Sequence, residues 1–231
     1  MLAAILQGWV NIMATELTMA TLTQALDWAF EKAMDGIPGT GTAQEFAAEY
    51  SKNNDTPLDA MNSLIRWQNT KAATSGFLTG LGGIITLPVA IPANLASVMY
   101  VQLRMITAIA YIGGHDPLDD RVKTLVYTCL AGNAAKDILK DVGINVASKL
   151  AVTSINKISG ATLTKINQAV GFRLLTKFGS TGAINLGKAV PLLGGILGAA
   201  FDSVTTNTVG NVARDIFIVP MKVAEAVQEP A

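Results

Sequence analysis

Five residues with polar or aromatic heads recur at helical spacing in an otherwise apolar stretch: Ser97, Tyr100, Arg104, Thr107 and Tyr111. At 100° per residue they fall within a wedge of about 80°. Their neighbours Leu95, Val98, Met99, Leu103, Met105, Ile106 and Ile109 are apolar. A lone arginine inside such a stripe needs an acceptor, because an unpaired buried guanidinium is very costly. Two chemistries fit. The planar fork can clamp the phosphate or carboxylate of an anionic headgroup. It can equally hold helices in register through a buried ion pair. Asp202 is the only charge between Lys188 and Arg214, so it is the candidate partner, with Asn94 beside it. The candidate site is therefore Asn94, Ser97, Tyr100, Arg104, Tyr111 and Asp202, read as a buried polar centre or as a ligand site.

Other chemistry is sparse. The chain has one histidine and one cysteine. Those counts exclude an internal disulfide, a CxxC motif and a His-rich metal site. His115 precedes Asp116, which reads as a helix N-cap. Cys129 sits on an apolar helix face and reads as core. There is no GxSxG elbow and no HExxH. The glycines at 76, 80, 82 and 83 and at 194, 195 and 198 lack a following Lys-Ser/Thr and follow no predicted strand, so they are not phosphate loops. Their spacing suits close helix–helix approach. No catalytic residue, metal or cofactor is expected.

Charge is scarce and uneven. Half of the 231 residues are apolar and 15% are charged, against about 25% in a typical soluble domain. This excludes disorder, and the formal net charge of zero argues against nucleic acid as a partner. Residues 1–64 carry eight acids and two bases. Residues 142–201 carry Lys149, Lys157, Lys165, Arg173, Lys177, Lys188 and no acid. That basic run can face anionic lipid headgroups, each lysine contributing about 1 kcal/mol. Alternatively, the two segments neutralise each other within one fold or solvate separate faces.

The elements that must position these residues read as helical. Thr42-Ala-Gln-Glu45 is a capping box. Thr56-Pro57-Leu-Asp59 joins a cap, a proline at the first helical position and an acid in the first turn, and Asp116-Pro117-Leu-Asp119 repeats it. Gly113 and Gly143 stand where left-handed C-caps belong. Strict alternation is missing, so no sheet is expected. Helices are expected near 2–14, 16–35, 43–52, 57–79, 92–112, 117–142, 144–158, 162–170, 172–178 and 191–218, with irregular glycine-rich segments around 76–91 and 171–190. The first 16 residues are apolar without a positive n-region, which reads as a short helix in a protein made in the cytoplasm. Residues 72–103 hold no charge, enough for a membrane span. Pro88 and Pro92 favour a buried or re-entrant helical pair over a single straight span.

Several of these stretches resemble one family. Gly76-FLTGLGGIITLPVAIPANLASVMYVQLRMITAIAYIGGHDP and VPLLGGILGAAFDSVTTNTVGNVARDIF at 190–217 resemble the signature of the EcsC protein family. DDRVKTLVYTCLAGNAAKDILKDVG and KINQAVGFRLLTKFGSTGAINLGK are similar to one branch of it, and ALDWAFEKAMDGIPG at 25–39 fits its N-terminal pattern. The resemblance covers about 20–218. It implies a bacterial, membrane-associated helical protein, because the family is named for a protein encoded beside ABC-transporter components. It supplies no catalytic residues. The family pattern often has an acid where Asn94 stands and an asparagine where Asp202 stands. This exchange implies that the two positions lie together near Arg104.

The expectation is an all-α single domain spanning 1–231, a bundle around two Gly-rich apolar helical hairpins near 70–113 and 185–218. The expected function is that of a non-enzymatic accessory protein at the cytoplasmic membrane face. It would meet anionic lipids or a membrane protein complex through Lys149, Lys157, Lys165, Arg173, Lys177 and Lys188. One alternative is a soluble lipid-binding or lipid-modifying protein with a headgroup site at Arg104. The other is a purely structural interaction module. The expected location is cytoplasmic, peripheral at the inner membrane face.

Overall fold

In the computed structural model the described residues are 17–72, 93–144, 155–178 and 194–218. They form eight helices and no strand. These are α1 (Met19–Asp35), α2 (Ala43–Lys52), α3 (Pro57–Ala72), α4 (Ala93–Ile112), α5 (Asp120–Cys129), α6 (Ala134–Asp141), α7 (Gly160–Phe178) and α8 (Gly194–Phe217). The all-α expectation holds. The expected helix at 2–14, the irregular segment expected at 76–91 and residues 179–190 of the one expected at 171–190 lie outside the described residues; residues 171–178 of the latter are helical instead.

Local chemistry sets the boundaries. The capping box forms: Glu45 N–H donates to Thr42 Oγ1 (3.0 Å), and Thr42 N–H donates to Glu45 Oε2 (2.8 Å). Thr56 caps α3 through Asp59 N–H at 3.1 Å. Asp116, expected to cap a helix, instead accepts from Leu118 N–H (3.0 Å) within a single turn. The cap of α5 is Asp119, which accepts from Arg121 N–H at 2.8 Å. An acid two residues after a proline can start a turn or a helix, and the second acid prevails here. The expected helix 117–142 is broken at Leu130–Asn133, where Gly132 has a φ of 62°. Conversely, the expected helices 162–170 and 172–178 are one helix, running through Gly171 and capped by Ser159, whose Oγ accepts from Thr162 N–H (3.2 Å). Close packing explains that glycine: a methyl group there would lie 3.0 Å from Met19 Sδ.

Helix α4 is the centre of the molecule. From Ala96 to Ala110 every residue except Val98 is buried. It packs against α1, α2, α3, α5 and α8, so protein surrounds it and even its polar residues Ser97, Gln102, Arg104 and Thr107 are buried. No helix among the described residues is long and apolar enough to cross a membrane. Burial inside the bundle accounts for the part of the charge-free stretch that α4 contains.

Candidate functional site

Two residues of the α4 stripe, Tyr100 and Arg104, meet the α1–α2 connection. That connection, Gly36-Ile-Pro-Gly-Thr-Gly-Thr42, turns sharply, with positive φ at Gly36, Gly39 and Gly41. Gly41 has two reasons to lack a side chain: its φ is 66°, and a methyl group would meet Glu45 Oε2 at 2.8 Å. Thr40 ties the loop together. Its Oγ1 donates to Ile37 O (3.1 Å) and shares a 2.6 Å hydrogen bond with Tyr100 Oη.

Arg104 completes the junction. Its Nε donates to Gly41 O at 3.2 Å and its Nη2 donates to Thr40 O. The guanidinium carbon lies 4.1 Å from the centre of the Phe46 ring, a cation–π arrangement. Phe46 belongs to an aromatic group with Tyr50 (5.2 Å) and Trp67 (5.7 Å). Arg104 is 7% exposed. Burial lowers its pKa, while Tyr100, Glu49 and Glu45 oppose that shift, and a guanidinium stays charged under such pressure. Burial likewise raises the Tyr100 pKa against the opposing hydrogen bond from Thr40. The arginine therefore finds its acceptors in two main-chain carbonyls, a third arrangement beside the ligand clamp and the ion pair.

The remaining candidates are distributed as follows. Tyr111 is half-buried and its hydroxyl lies 3.9 Å from Met34 Sδ. Ser97 and Thr107 are buried. Asn94 is in the first turn of α4 and Asp202 is within α8. The side chains of both lie outside the described residues, and so does the expected Arg104–Asp202 pair. Sequence reasoning missed Thr40, Gly41 and Phe46. A signal existed: a loop with three glycines directly before a capping box presents several carbonyls in a small space.

Of the basic run, Lys157, Lys165 and Arg173 are exposed. Lys177 is half-buried, donates to Leu130 O at 2.8 Å, and has its pKa drawn down to about 8 by burial. Lys149 and Lys188 lie outside the described residues. Among the described residues the acidic segment pairs with α5 (Asp27–Lys123, 3.3 Å), and no ion pair joins it to the basic run.

His115 is buried and fastens the end of α8. Its Nε2 is 3.1 Å from Phe217 O, and its Nδ1 has no hydrogen-bond partner. Burial lowers its pKa, with the Phe217 carbonyl pulling weakly the other way. The neutral ring donates from Nε2; a second proton would be buried at Nδ1 without an acceptor. The unfolded chain takes up that proton at higher pH than the folded one, so stability rises with pH in that window. The fold is expected to keep its full stability above about pH 6.5 and to lose part of it progressively below. Urea midpoints between pH 5 and 8 check this, and His115→Gln should flatten the slope.

Cys129 is buried and its thiol pKa is raised by desolvation. No group of three or more His, Cys, Asp or Glu side chains placed to hold a metal ion occurs among the described residues. A groove of about 380 Å³ lies between α5 and α7, lined by Asp120, Lys123, Thr124, Tyr127, Leu163 and Thr164, away from Arg104.

The model of the EcsC protein family matches residues 3–219. No curated protein and no solved structure matches the chain.

Proposed function

The chain belongs to the EcsC protein family, and from that premise we propose that it is a non-enzymatic accessory protein that docks on an anionic membrane surface through α7. One observation carries this reading. Phe172 is 67% exposed on a helix that contains Lys165, Arg173 and Lys177 and no acid. Phe172 and Lys165 lie about 20° apart around the helix, opposite the buried Leu174. An interfacial helix has this arrangement, with an aromatic wedge and cations beside it. The exposed Lys157 extends the basic surface. The Arg104 centre lends less support to a headgroup site, since its guanidinium already serves two carbonyls and an aromatic ring.

The test is sedimentation with phosphatidylglycerol-rich and with phosphatidylcholine vesicles at low and high salt. Binding to the anionic vesicles is expected, weakened by salt. At about 1 kcal/mol per cation, converting Lys157, Lys165 and Arg173 to glutamine should weaken it about 100-fold. Phe172→Ser should weaken it further. Absence of binding under all conditions refutes the reading. Binding to native membranes but not to protein-free vesicles would replace the lipid surface with a membrane protein partner.

A further inference from the structure

Helices α3, α4 and α8 pack against one another, and their interface is layered. In one layer Gly210 meets Ile65 and Met105: a methyl group on it would lie 2.9 Å from Ile65 Cγ1 and 3.2 Å from Met105 Sδ. Two cross-links give the direction. Arg214 donates to Asn62 at 2.9 Å and Asn69 donates to Asn207 at 3.0 Å, so α3 runs antiparallel to α8. Gln102 Nε2 lies 3.5 Å from Thr206 Oγ1, so α4 runs parallel to α8. One turn from the Ile65–Met105–Gly210 layer, the three helices therefore present Gln68, Gln102 and Thr206 at a common level.

This level is polar and buried. Gln68 and Gln102 are each 1% exposed and Thr206 is 3% exposed. Three amide oxygens here, Gln68 Oε1, Asn69 Oδ1 and Gln102 Oε1, are buried without a hydrogen-bond partner. A buried acceptor left without a donor bears its full desolvation cost. All three are neutral, hard oxygens, and they lie at one level of the interface. Such oxygens replace the hydration shell of an alkali cation, as carbonyls do in selectivity filters. A divalent ion would call for carboxylate ligands as well, and Gln68, Asn69, Gln102 and Thr206 supply none.

We propose that this layer binds a monovalent alkali cation, Na⁺ or K⁺, through the side-chain oxygens of Gln68, Asn69, Gln102 and Thr206. The ion ties α3 and α8 to α4 at a level where apolar packing is interrupted.

The test is thermal unfolding of the full chain in NaCl, KCl and choline chloride at equal ionic strength. One or both alkali salts should raise the melting temperature by about 3 °C over choline, as expected for a site about tenfold above its Kd. Gln102→Leu should abolish that difference, and Gln102→Glu should enlarge it. If Gln102→Leu does not fold, Gln68→Met takes its place. Broadening of the ²³Na resonance by the wild-type chain, reversed by K⁺, reads occupancy directly. Equal melting temperatures in all three salts overturn the proposal, as does an alkali-specific shift that persists in the variants; either result leaves a layer satisfied by water alone.

Discussion

Gly113→Ala should lower stability by about 3 kcal/mol or more. Gly113 ends α4 where the last residue of α8 crosses it. A methyl group would lie 2.1 Å from Phe217 O and 3.0 Å from His115 Cδ2. The nearer obstacle is main chain, which cannot swing aside as a long side chain can. Relief requires α8 to move away from α4, and the move would also stretch the His115–Phe217 hydrogen bond. Gly114→Ala provides the contrast. Gly114 has a φ of 77° and open space around it, so its cost is conformational strain of about 1–2 kcal/mol. Urea midpoints of the two variants should therefore differ in the order Gly114→Ala above Gly113→Ala. The reverse order would show that the crossing is looser than described.

Arg104→Met should cost about 3 kcal/mol, because it strips the partly buried junction of two charge-assisted hydrogen bonds, those to the Thr40 and Gly41 carbonyls. It also removes the cation over Phe46. Methionine fills much of the volume, so the loss is chiefly polar. Arg104→Lys keeps the charge but not the fork, and one ammonium cannot reproduce both bonds with the same geometry. It should restore only part of the loss. Amide exchange locates the effect: protection across residues 36–42 should fall in Arg104→Met while that of α6 and α7 persists. Uniform loss of protection would mean that Arg104 supports the whole core rather than this junction.

The helices were legible in the sequence wherever the signal was local. The capping box at Thr42 and Glu45 needs a spacing of three residues and nothing else, and it forms. The stripe on α4 was equally legible, because its periodicity reports a shared face. Its partner was not, because the acceptors are main-chain carbonyls, which every residue carries. A charge-based search leads to Asp202 and passes over Thr40 and Gly41. The same limit explains Gly113. Its position at a helix end suggested a left-handed cap, but that conformation belongs to Gly114, and Gly113 is required by a crossing that comes from over 100 residues away in sequence. Break and continuity were also exchanged: Gly132 interrupts an amphipathic run, while Gly171 lies within one. Gly132 adopts a left-handed conformation, with a φ of 62°, whereas Gly171 stays helical against Met19.

The position of α4 has a consequence for biosynthesis. Its residues are complete when the chain has reached Ile112, yet α8, which covers one side of it, ends at Phe217. At about 5–20 residues per second, translation leaves that side uncovered for about 5–20 s. During this interval the chain offers a long apolar helix with one face already closed by α1 and α2. It is in this window, rather than in the finished fold, that the protein most needs a chaperone, and slowing synthesis between the codons for α5 and α8 should increase its aggregation.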